Sequence, residues 1–228
     1  GIKHGVIPVI LAAVLLYRVD DVGFYKDGTF VPVLGPEHFE LLVKAPSRFS
    51  VKHFEMVGLR SDVFKELEVI LRSPTAKTPT GVRNASLLMI AKPLFNFVKK
   101  LPKYTLKTKR ISESAQNGIA VLQSAQEPDD LIFASLPKAC GLSPISAEKD
   151  SDASIAKQFK EELIRCLHEI QTAYETLLSE SKKRLHEAFG VRQKESRLRE
   201  DLRVRASYLV GHCIEPILKS FIIAAANE

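Results

Sequence analysis

The sequence predicts a mainly α-helical fold: a helical domain with a C-terminal antiparallel helical hairpin and a small N-terminal module of one helix plus a β-hairpin, winged-helix-like in its order. Three observations predict it. From Ala156 the apolar residues Ala156, Phe159, Leu163, Cys166, Ile170, Ala173 and Leu177 alternate steps of three and four, the seam of an amphipathic helix. Between Ser61 and Leu136, apolar runs of helical period are punctuated by Pro and Gly breakers. Strand signals are confined to the first 58 residues. With 228 residues, 45% apolar and 26% charged, the chain can bury a sizeable core, and wholesale disorder is excluded.

Taken in order, Val6 to Tyr17 reads as a helix buried in the core, with Ile7, Leu11, Val14 and Leu15 as core residues. It is too short to cross a bilayer, and Arg18-Val-Asp-Asp stands where a signal peptidase would need small residues. Asp27-Gly28 between two aromatic and β-branched runs marks a hairpin, and Pro32 places its second strand at an edge. Pro36 and Glu37 open a short helix to Lys44, and the alternation from Phe49 to Phe54 marks a third strand. The helix at Val6 offers no polar residues to reach base edges, so the module is read as a packing element rather than a base reader.

Further helices are predicted from Ser61, from Val82 to Lys100 with a kink at Pro93, from Ser112 to Gln126, and from Leu131 to Leu136. Leu106 to Ser112 reads as extended. Beyond a polar linker, Ser146 to Ser151, the seam helix is followed by Gly190. A return helix then carries Leu198, Leu202, Ala206, Leu209, Cys213, Ile217 and Phe221, with a kink at Pro216. The predicted regions are therefore 1–58, 59–147 and 148–228. The chain opens inside an apolar run without an initiator Met and is read as a piece of a longer protein.

Charge is the feature that bears most directly on function. From Val69 to Ser112 the chain carries ten of its 33 basic residues and none of its 27 acidic ones, so the remainder is net acidic. The densest part is Lys99, Lys100, Lys103, Lys107, Lys109 and Arg110, with Tyr104 and neighbouring threonines adding a stacking surface and hydroxyl donors. A focused field of this kind suits phosphate contact; the alternative is a solvated surface that compensates acidic faces elsewhere. A second cluster, Lys182-Lys183-Arg184 with Arg192, Arg197, Arg199, Arg203 and Arg205, is interleaved with acids and reads as pairing along a helix surface.

Other chemistries find no motif. Cys166 with His168 and His212 with Cys213 have no zinc spacing, so no metal site is expected. There is no G-x-S-x-G elbow, no phosphate-binding G-x-x-x-x-G-K-[ST] loop and no G-x-G-x-x-G, so neither catalytic residues nor a cofactor are expected. Asp20-Asp21 and Asp129-Asp130 read as capping acids. An odd set of three widely spaced cysteines points to a reducing, cytoplasmic setting.

Tyr104-Thr-Leu-Lys-Thr-Lys-Arg-Ile-Ser, together with Asp129-Asp-Leu-Ile-Phe-Ala-Ser-Leu-Pro-Lys-Ala-Cys-Gly141, resembles a recurring stretch of very large bacterial P-loop ATPases of phage-defence islands (the BREX and phage-growth-limitation type). Just upstream, Asp20-Asp21 to Val33, with its Tyr25-Lys-Asp-Gly-Thr-Phe-Val-Pro run, resembles the same proteins. The resemblance implies an accessory region downstream of the ATPase core, without Walker residues of its own. Two functions are expected from this reading. The first is a non-catalytic region of a larger bacterial protein that contacts nucleic acid through Lys99 to Arg110. The second is a scaffold docking onto other domains of the parent or another subunit. No membrane contact is expected, and the oligomeric state is open.

Overall fold

The computed structural model describes residues 6–72, 81–146, 153–188, 190 and 195–227, the side chains of 195–197 excepted. The loop at 73–80 with Lys77, most of the predicted linker at 146–151, and Arg192 lie outside the described residues, as does the side chain of Arg197. The protein is mainly helical with one small antiparallel sheet, and its last two helices pack together as a hairpin. It divides into two compact units, Gly1–Ala173 and Tyr174–Glu228.

In the first unit, α1 (Ile7–Tyr17) precedes β1 (Val22–Lys26) and β2 (Thr29–Phe30). The two-residue turn between the strands puts Asp27 at φ 50° and Gly28 at φ 78°, the positive values that a right-twisted hairpin needs. Arg48 donates from Nε to Asp27 Oδ1 at 2.9 Å and holds the turn. After α2 (Pro36–Lys44), β3 (Phe49–His53) pairs antiparallel with β1, so the sheet order is β2-β1-β3. The strand before Pro32 lies at the edge, where the missing ladder donor costs nothing.

The first helix is not a core helix. Only Leu15 is buried, while Ile7, Leu11 and Val14 are 39%, 40% and 48% exposed, and Val9 and Leu16 more so. Its apolar residues encircle the helix instead of forming one stripe, so no single neighbour can cover them. What fixes it is polar. Buried Arg83 donates to the main-chain carbonyls of Leu15, Arg18 and Val22, the latter two at 2.9 and 2.8 Å from Nη2. Asn84 donates from Nδ2 to the Asp20 carbonyl at 2.6 Å, and its backbone N–H donates to the Val19 carbonyl at 2.9 Å. Burial draws the Arg83 pKa down from its ordinary value, and the Asp20 charge opposes that shift.

The main core is built by α3 (Gly58–Leu71), α4 (Ala85–Lys99), α5 (Glu113–Ser124), α6 (128–139) and α7 (Ala153–Ala188). Pro93 sits within α4, and Ser112 caps α5 by accepting from the Ala115 N–H at 3.2 Å. The short helix expected at Leu131 is longer: α6 begins as Pro128–Asp130, passes through a π-helical stretch, Leu131–Ser135, and ends as Leu136–Ala139. The wider π turn accommodates three consecutive buried residues, Leu131, Ile132 and Phe133.

The seam of α7 buries Ala156, Phe159, Leu163, Cys166, Ile170 and Ala173, as its spacing requires. Its partner differs from the expected one. Phe159 and Leu163 belong to one core with Leu59, Val63 and Leu67 of α3 and Ile90 and Leu94 of α4, and Cys166 and Ile170 pack with Ala115 and Ile119 of α5. Lys160 Nζ meets Glu66 Oε2 at 2.5 Å, tying α7 to α3. Where Gly118 of α5 faces α7, an added Cβ would lie 2.9 Å from Cys166 Sγ. Gly118→Ala is therefore expected to destabilise by about 1–3 kcal/mol through overpacking. Cys166→Ala in the same chain should recover most of that loss, a coupling measurable by a double-mutant cycle in urea.

In the second unit the hairpin is made by α8 (Glu195–Leu209) and α9 (Pro216–Asn227). The return helix expected to kink at Pro216 instead ends at Leu209 and restarts at Pro216, with Gly211 at φ 89° in the connection. The predicted stripe holds at Leu198 and Ala206, which are buried, and fails at Leu209, Ile217 and Phe221, which are exposed. Along α8, Arg203 pairs with Glu200 at i,i+3 and 2.9 Å. Among the described residues no helix is long and apolar enough to cross a membrane.

Candidate nucleic-acid interface

The basic strip runs from the end of α4 to the start of α5, and its layout follows from which side chains are apolar. Leu101, Leu106 and Ile111 pack into the core, and Thr105 is fully buried between them. The intervening Lys99, Lys100, Lys103, Lys107, Lys109 and Arg110 are consequently all turned to solvent. The segment is not extended as expected. The Leu106 N–H donates to the Pro102 carbonyl at 3.2 Å and the Thr108 N–H to the Tyr104 carbonyl at 2.9 Å, which coils the chain into successive turns. At its far end Glu169 of α7 accepts from the Ser112 N–H at 2.7 Å and from its hydroxyl at 2.6 Å. The strip is thus held at both ends.

Among the described residues, none of these six cations lies within 4 Å of a carboxylate, and Lys92 is equally exposed and unpaired. Two other cations of the basic field are engaged within the first unit. Arg83 clamps α1, and Arg72 pairs with Glu68 on α3. The predicted hydroxyl donors are also engaged differently. Thr105 is 0% exposed and cannot reach a phosphate, and Thr108 Oγ1 accepts from the Arg110 N–H at 3.2 Å. Tyr104 is half-buried.

Next to the strip, α4 and the end of α5 enclose an open groove of about 710 Å³ that the sequence did not announce. Lys92, Asn96 and Lys99 fall on one face of α4 at steps of four and three, and this much is visible in the sequence. Gln123 and Gln126 reach the groove only because α5 packs beside α4, which no local pattern reveals. The floor is apolar, with Phe95 and Leu106 half-buried and Val98 and Leu122 buried. Among the described residues no acid lines it.

A second polar cluster lies where the sheet meets α6. Lys52 Nζ is 2.8 Å from Asp129 Oδ2 and 3.1 Å from Glu127 Oε2, so Asp129 is a buried ion-pair partner rather than only a capping acid. Burial opposes the Lys52 charge, but its bonds to Asp129 and Glu127 prevail and hold its pKa above the ordinary value. Beside them the buried Tyr25 phenol is pushed up to about 12, first by burial and then by the Glu127 charge. The neutral phenol is therefore the form the fold prefers. Its contribution to stability is complete below pH 10 and is lost as pH rises from 10 to about 12. Thermal melts across this range should fall more steeply for the native chain than for Tyr25→Phe; equal slopes would contradict the assignment. The cluster joins β3 to α6 within the first unit.

Of the three cysteines, Cys140 and Cys166 are buried and Cys213 is half-buried. Cys166 Sγ donates to the Ser114 carbonyl at 3.6 Å. Contact with Cys166, then burial, pushes the Cys140 thiol above its usual range. Among the described residues no three His, Cys, Asp or Glu side chains converge as a metal-ligand set. No protein-family model matches the chain, and no curated protein and no solved structure matches it either.

Proposed function

We propose that this chain is a non-catalytic, mainly helical accessory region of a larger bacterial protein, acting in the cytoplasm, and that it contacts nucleic acid through Lys99, Lys100, Lys103, Tyr104, Lys107, Lys109 and Arg110. The observation that carries the reading is the set of six exposed cations without carboxylate partners among the described residues, on a segment anchored at both ends. Ion pairing would have neutralised such a surface, and a loose tail would lose entropy on binding; this strip has neither handicap. The parent is proposed to be a P-loop ATPase of phage-defence type, on the resemblance of the segments around Tyr104 and Asp129. The test is fluorescence anisotropy of labelled single- and double-stranded DNA, titrated with the protein at several salt concentrations. Affinity that falls steeply with salt supports the reading; no binding at low salt removes it.

A second reading, a scaffold that docks onto other domains of its parent or another subunit, is favoured by the uncovered apolar residues of α1 and α9. Concentration-dependent self-association in sedimentation, without nucleic-acid binding, would put it first.

A further inference from the structure

We infer that the groove between α4 and α5 takes an unstacked nucleobase, which makes the strip a reader of single strands rather than of duplex. The inference rests on the nucleic-acid reading above and deepens it. Three features of the groove converge on this occupant. Its floor is apolar and contains one aromatic ring, Phe95, the kind of surface on which a base sheds water. Its rim carries three amide side chains, Asn96, Gln123 and Gln126, each with donors and an acceptor able to meet a base edge. Its cations are Lys92 and Lys99, and Lys99 is also the first residue of the strip.

Charge and continuity decide between occupants. With two lysines and, among the described residues, no acid in the lining, a cationic partner is disfavoured and an anionic one favoured, and the aromatic floor and amide rim suit a nucleic-acid strand in particular. Lys99 belongs both to the strip and to the lining of the groove, so a strand held by the strip has a base within reach of it. In duplex the bases are stacked and paired, and withdrawing one costs a few kcal/mol. The groove thus adds affinity only for a strand whose bases are already free.

The experiment separates base from phosphate. The probes are a labelled twelve-residue oligothymidylate, an abasic oligonucleotide of equal length and charge, and a duplex of the same length. The proteins are the native chain and an Asn96→Ala/Gln123→Ala variant, both positions being exposed. The native chain is expected to bind oligothymidylate about ten-fold or more tightly than the abasic strand, the effect of one seated base. The variant is expected to lose most of that difference while binding the abasic strand as the native chain does. Equal affinity for oligothymidylate and abasic strand, or tighter binding to duplex, would overturn the inference and leave the strip as a phosphate surface. If none of the three probes binds at low salt, it is the nucleic-acid reading itself that fails, and the inference with it.

Discussion

Changing Lys99, Lys100, Lys103, Lys107, Lys109 and Arg110 together to glutamate is expected to abolish nucleic-acid binding while leaving the fold intact. The first half follows from counterion release. If the strip neutralises about six phosphates of a single strand, log K falls against log salt with a slope of about −4. The native chain should therefore lose about 300-fold in affinity between 50 and 200 mM salt. Reversal converts six attractions into six repulsions, so no binding should remain at the lowest salt. The second half follows from geometry. The six side chains are exposed and make no ion pairs with described residues, whereas the loop is anchored by Leu101, Thr105, Leu106, Ile111 and the Ser112–Glu169 contact. Circular dichroism and melting temperature should change little. A serine version of the same set should weaken binding and flatten the salt slope without repulsion. A glutamate variant that still binds with the native slope would locate the phosphate contacts elsewhere.

The second large effect is expected at Arg83. Its guanidinium serves three main-chain carbonyls, those of Leu15, Arg18 and Val22, at a position only 2% exposed. Arg83→Met keeps much of the side-chain volume but leaves those acceptors without their donor. At about 1–3 kcal/mol for each buried group left unsatisfied, offset by what water can reach, the loss should be about 3 kcal/mol or more. For a chain of this size that corresponds to a fall of roughly 6–12 °C in melting temperature. Arg83→Lys should recover part of it, because an ammonium supplies three donors but not the planar fork. A loss under about 1 kcal/mol in urea denaturation would show that the carbonyls find other partners.

Arg83 also marks the limit of what the sequence disclosed. In a string of letters it is one more basic residue in an acid-free stretch; in the fold it is a buried clamp, because the acceptors it serves lie 61 to 68 positions away. The strip was legible because its signal is local: cations interleaved with Leu101, Leu106 and Ile111 are separated into outward and inward sets by the apolar residues. Helix positions were legible for the same reason, as in the seam of α7. The partner of that seam was not, since a stripe states that a face is buried and is silent about which helix covers it. The first helix failed in the opposite sense: apolar content predicted burial, but residues distributed around the whole circumference give no single face to bury.

The placement of α7 has a consequence for how the molecule comes into being. Phe159 and Leu163 complete a core whose other members begin at Leu59, and Lys160 closes on Glu66 across 94 positions. As the chain leaves the ribosome, α3, α4, α5 and α6 therefore emerge long before the helix that covers them, with their inward faces uncovered. At about 5–20 residues per second, the wait from the end of α3 to the arrival of Ala173 lasts roughly 5–20 s. The first unit is thus a late-closing fold, and the seam that reads so clearly on paper is the last piece its core receives.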